Sequence, residues 1–188
     1  MVKKNACVFI SGEGSNLKNL LKRSRDYNFP ISIKLVVSNN PKAKGLNFAK
    51  KYSIPCLIVN TSFRFFETGV LNYLKKYRIN IICLAGYMKV ISKKFLKSFN
   101  NQVINIHPSL LPKFKGLNTF KRILDKKEIK TGCTVHFVNE KLDGGRIIAQ
   151  KSFYITINSN VSDLKKRTQV LEHIAYPEAI IKIFRANY

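Results

Sequence analysis

Asn105 and His107 alternate along VINIH, a β-branched run that predicts a strand, so their side chains fall on one face and can reach one substrate atom together. The run closes on His107, and in a parallel sheet chemistry gathers at the carboxyl ends of strands. Taken alone, a histidine closing a buried strand reads first as a hydrogen-bonded structural residue. Asp143 changes the balance: it lies in NEKLDGG (Asn139 to Gly145), a polar, glycine-ended loop where packing makes no demand for a carboxylate. A carboxylate beside an imidazole favours the protonated ring and moves its pKa toward or above neutrality. Asn105 adds an amide N–H, and the two donors suit negative charge developing on a carbonyl oxygen as it becomes tetrahedral. The chemistry implied is acyl transfer in which an amine substrate attacks directly. Ser109 follows a proline and lacks a nucleophile elbow, which argues against a serine hydrolase. The histidines at 107, 136 and 173 lie far apart without ligand spacing, so no metal site is expected.

A second feature is SGEGSNL (Ser11 to Leu17), placed where a strand should pass into a helix. Backbone N–H groups and the helix dipole would there point at one spot, which suits an anion. The dinucleotide fingerprint would need a third glycine at Leu17 and an acidic residue about 20 positions on, and Walker A would need its lysine; none is present. A single phosphomonoester fits better. The same residues also make an ordinary tight turn with Ser15 as the N-cap.

The elements that must position these groups alternate regularly. Strands are expected at Asn5–Ser11, Ile31–Ser38, Pro55–Val59, Asn80–Ala85, Val103–His107, Cys133–Val138 and Arg146–Phe153. Helices are expected at Ser15–Tyr27, about Ala43–Tyr52, about Phe65–Tyr77, a short one through Ser98 capped by Ser92, about Thr119–Lys127 and about Val161–Arg185, the last kinked at Pro177. PSLLPKFKGLN (Pro108–Asn118), with two prolines and a glycine, reads as a functional loop. The pattern predicts an α/β fold: a single-domain, open, mostly parallel twisted sheet with helices on both faces and an antiparallel addition near the C-terminus.

The 188 residues, 45% of them apolar, suffice for one sizeable core, and no stretch reaches about 18 consecutive apolar residues, so a soluble, cytoplasmic protein without membrane attachment is expected. Cys7, Cys56, Cys83 and Cys133 each sit in an apolar, strand-like run and read as buried reduced thiols. The formal charge of +24 raises nucleic acid as a partner. Lysine outnumbers arginine 26 to 8 and is spread along the whole chain, so a solvated basic surface with no specific nucleic-acid face is the preferred reading.

ISGEGSNL, VVSNNPKAKGLNFAKKYSIP, LAGYMKVIS, NIHPSLLPKFKGL, GCTVHFVNEKLDGG and TQVLEHIAYP, in that order from about Val8 to Pro177, together resemble the glycinamide ribonucleotide formyltransferase family. That resemblance implies a Rossmann-like formyltransferase fold in one catalytic domain over 1–188, with a phosphate-binding half about 1–100 and a folate-binding and catalytic half about 80–188. It implies transfer of the formyl group of 10-formyltetrahydrofolate, a co-substrate, to glycinamide ribonucleotide in purine synthesis, without a metal, by a monomer or homodimer. Gly14, Ser15 and Asn16 would cradle the phosphate and Glu172 would face the ribose or amine. Asn105, His107 and Asp143 would form the catalytic group. Met88, Lys89, Val90 and Ile91 would line the folate pocket with Asn105, backbone groups of Asn139, Glu140, Lys141 and Leu142 would read the pterin edge, and Arg64 would supply a cation to the folate tail. The family also implies a cis bond before Pro112. Lys89 stands where arginine is usual, and Asn118 and Phe120 replace two histidines. The alternatives within the wider family are a formyltetrahydrofolate deformylase and a tRNA-directed formyltransferase, or an RNA-binding protein; the first two would be expected to carry a further domain.

Overall fold

Residues Ala6 to Ile10 are all buried, the mark of a strand covered on both faces rather than one. They belong to β1 (Lys4–Ile10), which leads into α1 (Ser15–Ser24), β2 (Ile31–Ser38), α2 (Gly45–Lys51), β3 (Cys56–Ile58), α3 (Phe66–Lys76), β4 (Ile81–Leu84) and α4 (Lys93–Phe99). There follow β5 (Gln102–His107), α5 (Thr119–Asp125), β6 (Lys130–Phe137), β7 (Ile147–Tyr154) and α6 (Val161–Arg185). The structure, a computed structural model, describes residues 2–62 and 66–185. The strands form one seven-stranded sheet in the order β3-β2-β1-β4-β5-β6-β7. The chain divides into two compact units, Met1–Ile104 and Asn105–Tyr188.

In the first unit β1 pairs in parallel with β2 and with β4, and β2 pairs in parallel with β3. The chain therefore builds outward from β1 and then crosses back to its other side. Right-handed crossovers put α1 and α2 on one face and α3 on the other, and they leave a topological switch point at the carboxyl ends of β1 and β4. The core there joins Leu17, Leu20 and Leu21 of α1 to Val8, Ile10 and Val36, all at most 1% exposed. Each such side chain contributes about 1.5–3 kcal/mol by leaving water.

Two local findings differ from expectation. The N-cap of α1 is Gly14, not Ser15: Gly14 has φ 74°, and a Cβ there would lie 2.5 Å from the Gly45 Cα. Left-handed backbone and contact with α2 both demand glycine, so the turn tightens one residue earlier. Cys56 is exposed, because β3 is a short edge strand, whereas Cys7, Cys83 and Cys133 are buried as expected. Ser92 caps α4 by accepting from the Phe95 N–H at 3.0 Å.

In the second unit β6 and β7 are antiparallel, and α6 packs across both. From Ala149 to Tyr154, β7 alternates half-buried and exposed positions, as a strand covered on one face does. Tyr176, Ala179, Ile180 and Ile183 of α6 and Cys133 and Val135 of β6 are buried. α6 runs without interruption through the buried Pro177, at the cost of one backbone rung to His173. The Leu111–Pro112 bond is cis. No helix among the described residues is long and apolar enough to cross a membrane.

Candidate active site

Four polar side chains converge in the second unit, carried by two strands and one loop. β5 supplies Asn105 and His107, β6 supplies His136, and the loop after β6 supplies Asp143. The loop is a tight turn: the Lys141 N–H donates to Asn139 Oδ1 at 3.0 Å and the Gly144 N–H to the Lys141 carbonyl at 3.0 Å. This leaves Asp143 with φ 46°, a conformation an aspartate tolerates better than most residues. Gly145 closes the loop because a Cβ there would lie 1.8 Å from the Phe137 carbonyl oxygen. The carboxylate is thereby aimed inward, only 8% exposed.

Asp143 Oδ2 accepts from the Gly116 N–H at 2.8 Å and lies 3.3 Å from His107 Nδ1. The other ring nitrogen, Nε2, is 2.9 Å from the Phe114 carbonyl oxygen. A carbonyl only accepts, so Nε2 carries a hydrogen. If that were the sole ring proton, Nδ1 would turn a lone pair toward a carboxylate; the geometry instead suits an imidazolium with both nitrogens donating. Nε2 is thus committed to holding the ring, and Nδ1 is the donor that faces the site. Its 3.3 Å separation exceeds the usual 2.7–2.9 Å of a charge-assisted bond, which leaves the proton available to a further oxygen.

His136 is the residue that sequence reasoning missed. Its Nδ1 lies 2.8 Å from the Phe137 carbonyl oxygen and so donates, which makes Nε2 an acceptor for the Asn105 amide N–H at 3.3 Å. Burial pushes its pKa below the usual histidine value, more than the Phe137 carbonyl and Asp143 raise it, while His107 and Lys115 act in the lowering direction. The ring is neutral near pH 7. Its 3.7 Å approach to Asp143 Oδ1 is accordingly no ion pair. His136 instead uses one Asn105 N–H and fixes that amide's rotation, with the second N–H left over. A signal was present: His136 sits between Val135 and Phe137 in a strand run, seven residues before Asp143.

The other expected residues fall as follows. Ser109 is fully buried and donates to the Lys113 carbonyl at 2.7 Å, a structural bond. Gly14, Ser15 and Asn16 form the start of α1 in the first unit, at the switch point. Met88 and Val90 are 66% and 76% exposed, Lys89 is exposed and Ile91 half-buried, so this segment is not ordinary core. Asn139, Glu140, Lys141 and Leu142 are exposed in the second unit. Glu172 is half-buried on α6; burial, with the Glu172 charge adding to it, pushes the Cys133 thiol up to about 12. Asn118 caps α5 with φ 55°, and Phe120 is half-buried in that helix. Arg64 lies outside the described residues. Among the described residues no group of three or more His, Cys, Asp or Glu is placed to hold a metal ion.

Comparison with known proteins adds a family. Residues 4–180 match the model of a family described as formyl transferase. Phosphoribosylglycinamide formyltransferase from Haemophilus influenzae is 37% identical over 96% of this chain and 87% of its own length. The trifunctional purine biosynthetic protein adenosine-3 of Bos taurus is 38% identical over 95% of this chain, which spans 18% of that protein's length. The crystal structure of glycinamide ribonucleotide transformylase 1 from Symbiobacterium toebii superposes with a TM-score of 0.93 at 35% identity, covering 98% of this chain and 89% of that one.

Proposed function

Because the chain belongs to the formyl transferase family, we propose that it moves the formyl group of 10-formyltetrahydrofolate onto the amine of 5'-phosphoribosylglycinamide, giving formylglycinamide ribonucleotide and tetrahydrofolate. The observation that carries the reading is the His107 imidazole, held at Nε2 by Phe114 and presented at Nδ1 beside a buried carboxylate and an oriented asparagine amide. Those are the donors that formyl transfer needs.

In this mechanism the neutral amine attacks the formyl carbon and forms a C–N bond. The oxygen, turning anionic, accepts from the Asn105 N–H that His136 does not use and from His107 Nδ1–H. Asp143 holds the imidazolium in place by charge and by geometry. When the tetrahedral carbon collapses, the bond to the folate nitrogen breaks, and that nitrogen must gain a proton to depart. The proton comes from the attacking amine, relayed by a water beside Asp143. No protein side chain is consumed.

The remaining assignments belong to the same proposal. Gly14, Ser15 and Asn16 take the substrate phosphate and Glu172 its ribose or amine end. Met88, Lys89, Val90, Ile91, Arg64 and the 139–142 loop serve the folate, and exposed apolar side chains such as Val90 and Leu142, 76% and 59% exposed, suit that task. The whole chain then acts as one catalytic domain in the cytoplasm. The deciding experiment follows tetrahydrofolate release from 10-formyltetrahydrofolate with no acceptor, with glycinamide ribonucleotide, and with charged initiator tRNA. Strict dependence on the ribonucleotide is expected. Turnover in water alone identifies a deformylase, and turnover with tRNA an enzyme of translation initiation.

A further inference from the structure

Resting on that reading, we propose that Ser11 is a positioning residue whose hydroxyl couples occupancy of the Gly14–Asn16 turn to the placement of the Met88–Ile91 segment. The topology brings the two features to one place: β1 lies between β2 and β4, all parallel, so the turns that follow these strands emerge at the same edge. Ser11 is the first residue after β1, Asn39 the first after β2, and Met88 follows β4 by a few residues.

The Ser11 hydroxyl has one proton and lone pairs to spare. Its proton goes to Asn39 Oδ1 at 2.5 Å, since a carbonyl oxygen can only accept. Its lone pair takes the Met88 N–H at 2.8 Å, since an amide N–H can only donate. The group is therefore polarised in one sense, and only a side chain able to donate and accept at once can replace it. The β2 side of the turn has further supports: Asn40 Nδ2 donates to the Ser11 carbonyl at 3.0 Å and the Gly45 N–H to the Gly12 carbonyl at 3.0 Å. Asn40 is itself held by Ser38 Oγ, which accepts its N–H at 3.1 Å.

The β4 side differs. From Gly86, where φ is 75°, to Val90 the chain has no regular structure, and Gly86, Met88, Lys89 and Val90 are exposed. An anion that draws on the amides of the turn fixes Ser11 with them, and Ser11 in turn fixes Met88. By linkage the effect runs equally in the other direction: a ligand that orders 88–91 tightens the turn. The predicted outcome is that the ribonucleotide and the folate each strengthen binding of the other through this hydroxyl.

The test has two arms. In the first, amide hydrogen exchange at Met88 is followed by NMR as inorganic phosphate is added, a probe that needs no knowledge of the reaction. The wild-type amide becomes more protected, Ser11→Ala abolishes the response, and Ser11→Thr, which keeps the hydroxyl, restores it. In the second, the Kd of 5,8-dideazafolate, an unreactive folate analogue, is measured without and with saturating glycinamide ribonucleotide. One neutral hydrogen bond corresponds to about 2- to 12-fold in an equilibrium constant, so Ser11→Ala is expected to cut the mutual enhancement by that factor. The KM for the formyl donor rises while kcat and binary ribonucleotide binding hold. A folded Ser11→Ala protein that keeps both the Met88 response and the enhancement overturns the inference, as does failure of threonine to restore them. Phosphate coupling without any binding of the ribonucleotide would instead overturn the proposed substrate and leave the coupling standing.

Discussion

Replacing Asp143 by asparagine removes one charge from a buried cluster while keeping its shape. In the native protein Asp143 Oδ2 faces two donors, the Gly116 N–H at 2.8 Å and His107 Nδ1 at 3.3 Å. The substituted amide would keep its oxygen toward the Gly116 N–H, the bond that ties the two loops together. The fold and the loop are therefore expected to survive. What is lost is the negative charge that faces His107 Nδ1. At 3.3 Å and an effective dielectric constant near 20, the pair is worth about 5 kcal/mol before desolvation is subtracted. Net values for hydrogen bonds to charged groups run at about 1.5–3 kcal/mol. The lower pair of figures corresponds to about a 10- to 150-fold loss in kcat/KM and the gross figure to about 5,000-fold, so the result should fall between. The assay is tetrahydrofolate release under subsaturating ribonucleotide, with circular dichroism and Tm as the check on folding. A well-folded Asp143→Asn enzyme that kept nearly all its kcat/KM would refute the role given to the carboxylate.

Three further outcomes are expected. His136 has a folded-state pKa below its unfolded value, so the unfolded chain binds the proton first. Its contribution to stability is complete above about pH 6.5 and declines as pH falls below that; a ring-proton NMR titration should place His136 below the ordinary histidine range, and His136→Gln should flatten the dependence of Tm on pH between 7 and 5. Gly145→Ala puts a Cβ within 1.8 Å of the Phe137 carbonyl oxygen, so the loop must move; a loss above about 3 kcal/mol in urea unfolding is expected, together with loss of activity. Val90→Asp, at a position 76% exposed, should leave the urea midpoint unchanged and raise KM for the formyl donor, and an unchanged KM would remove Val90 from the folate-lining set.

The sheet was legible because its strands are continuous apolar runs and its helices carry regular apolar spacing; the expected strand Ile31–Ser38 and the expected last helix Val161–Arg185 coincide with β2 and α6. Boundaries slipped where backbone geometry overrode composition. Ser15 reads as a good cap, but the cap falls on Gly14 because α2 passes too close for a Cβ. Cys56 reads as buried because its neighbours are apolar, yet an edge strand of three residues cannot cover both faces. At the site, Asn105, His107 and Asp143 were found by residue type and position at element ends. The division of labour between the two nitrogens of His107 was not, because it depends on where the Phe114 carbonyl lands after a loop with positive φ at Phe114 and Gly116. His136 escaped notice for a related reason: periodicity identifies a strand residue but not the amide on the neighbouring strand that needs its lone pair.

The Gly14–Gly45 contact has a consequence for how this chain can vary. A methyl group at 14 would strike the Gly45 Cα, and one at 45 would strike Ile10 Cδ1 at 2.7 Å and the Gly14 Cα at 3.0 Å. Neither clash is relieved by shrinking a neighbour, since the obstacle is mostly main chain. The two sites consequently behave as one mutational unit: whichever is altered first forces the starts of both helices apart, and the second alteration then adds little to damage already done.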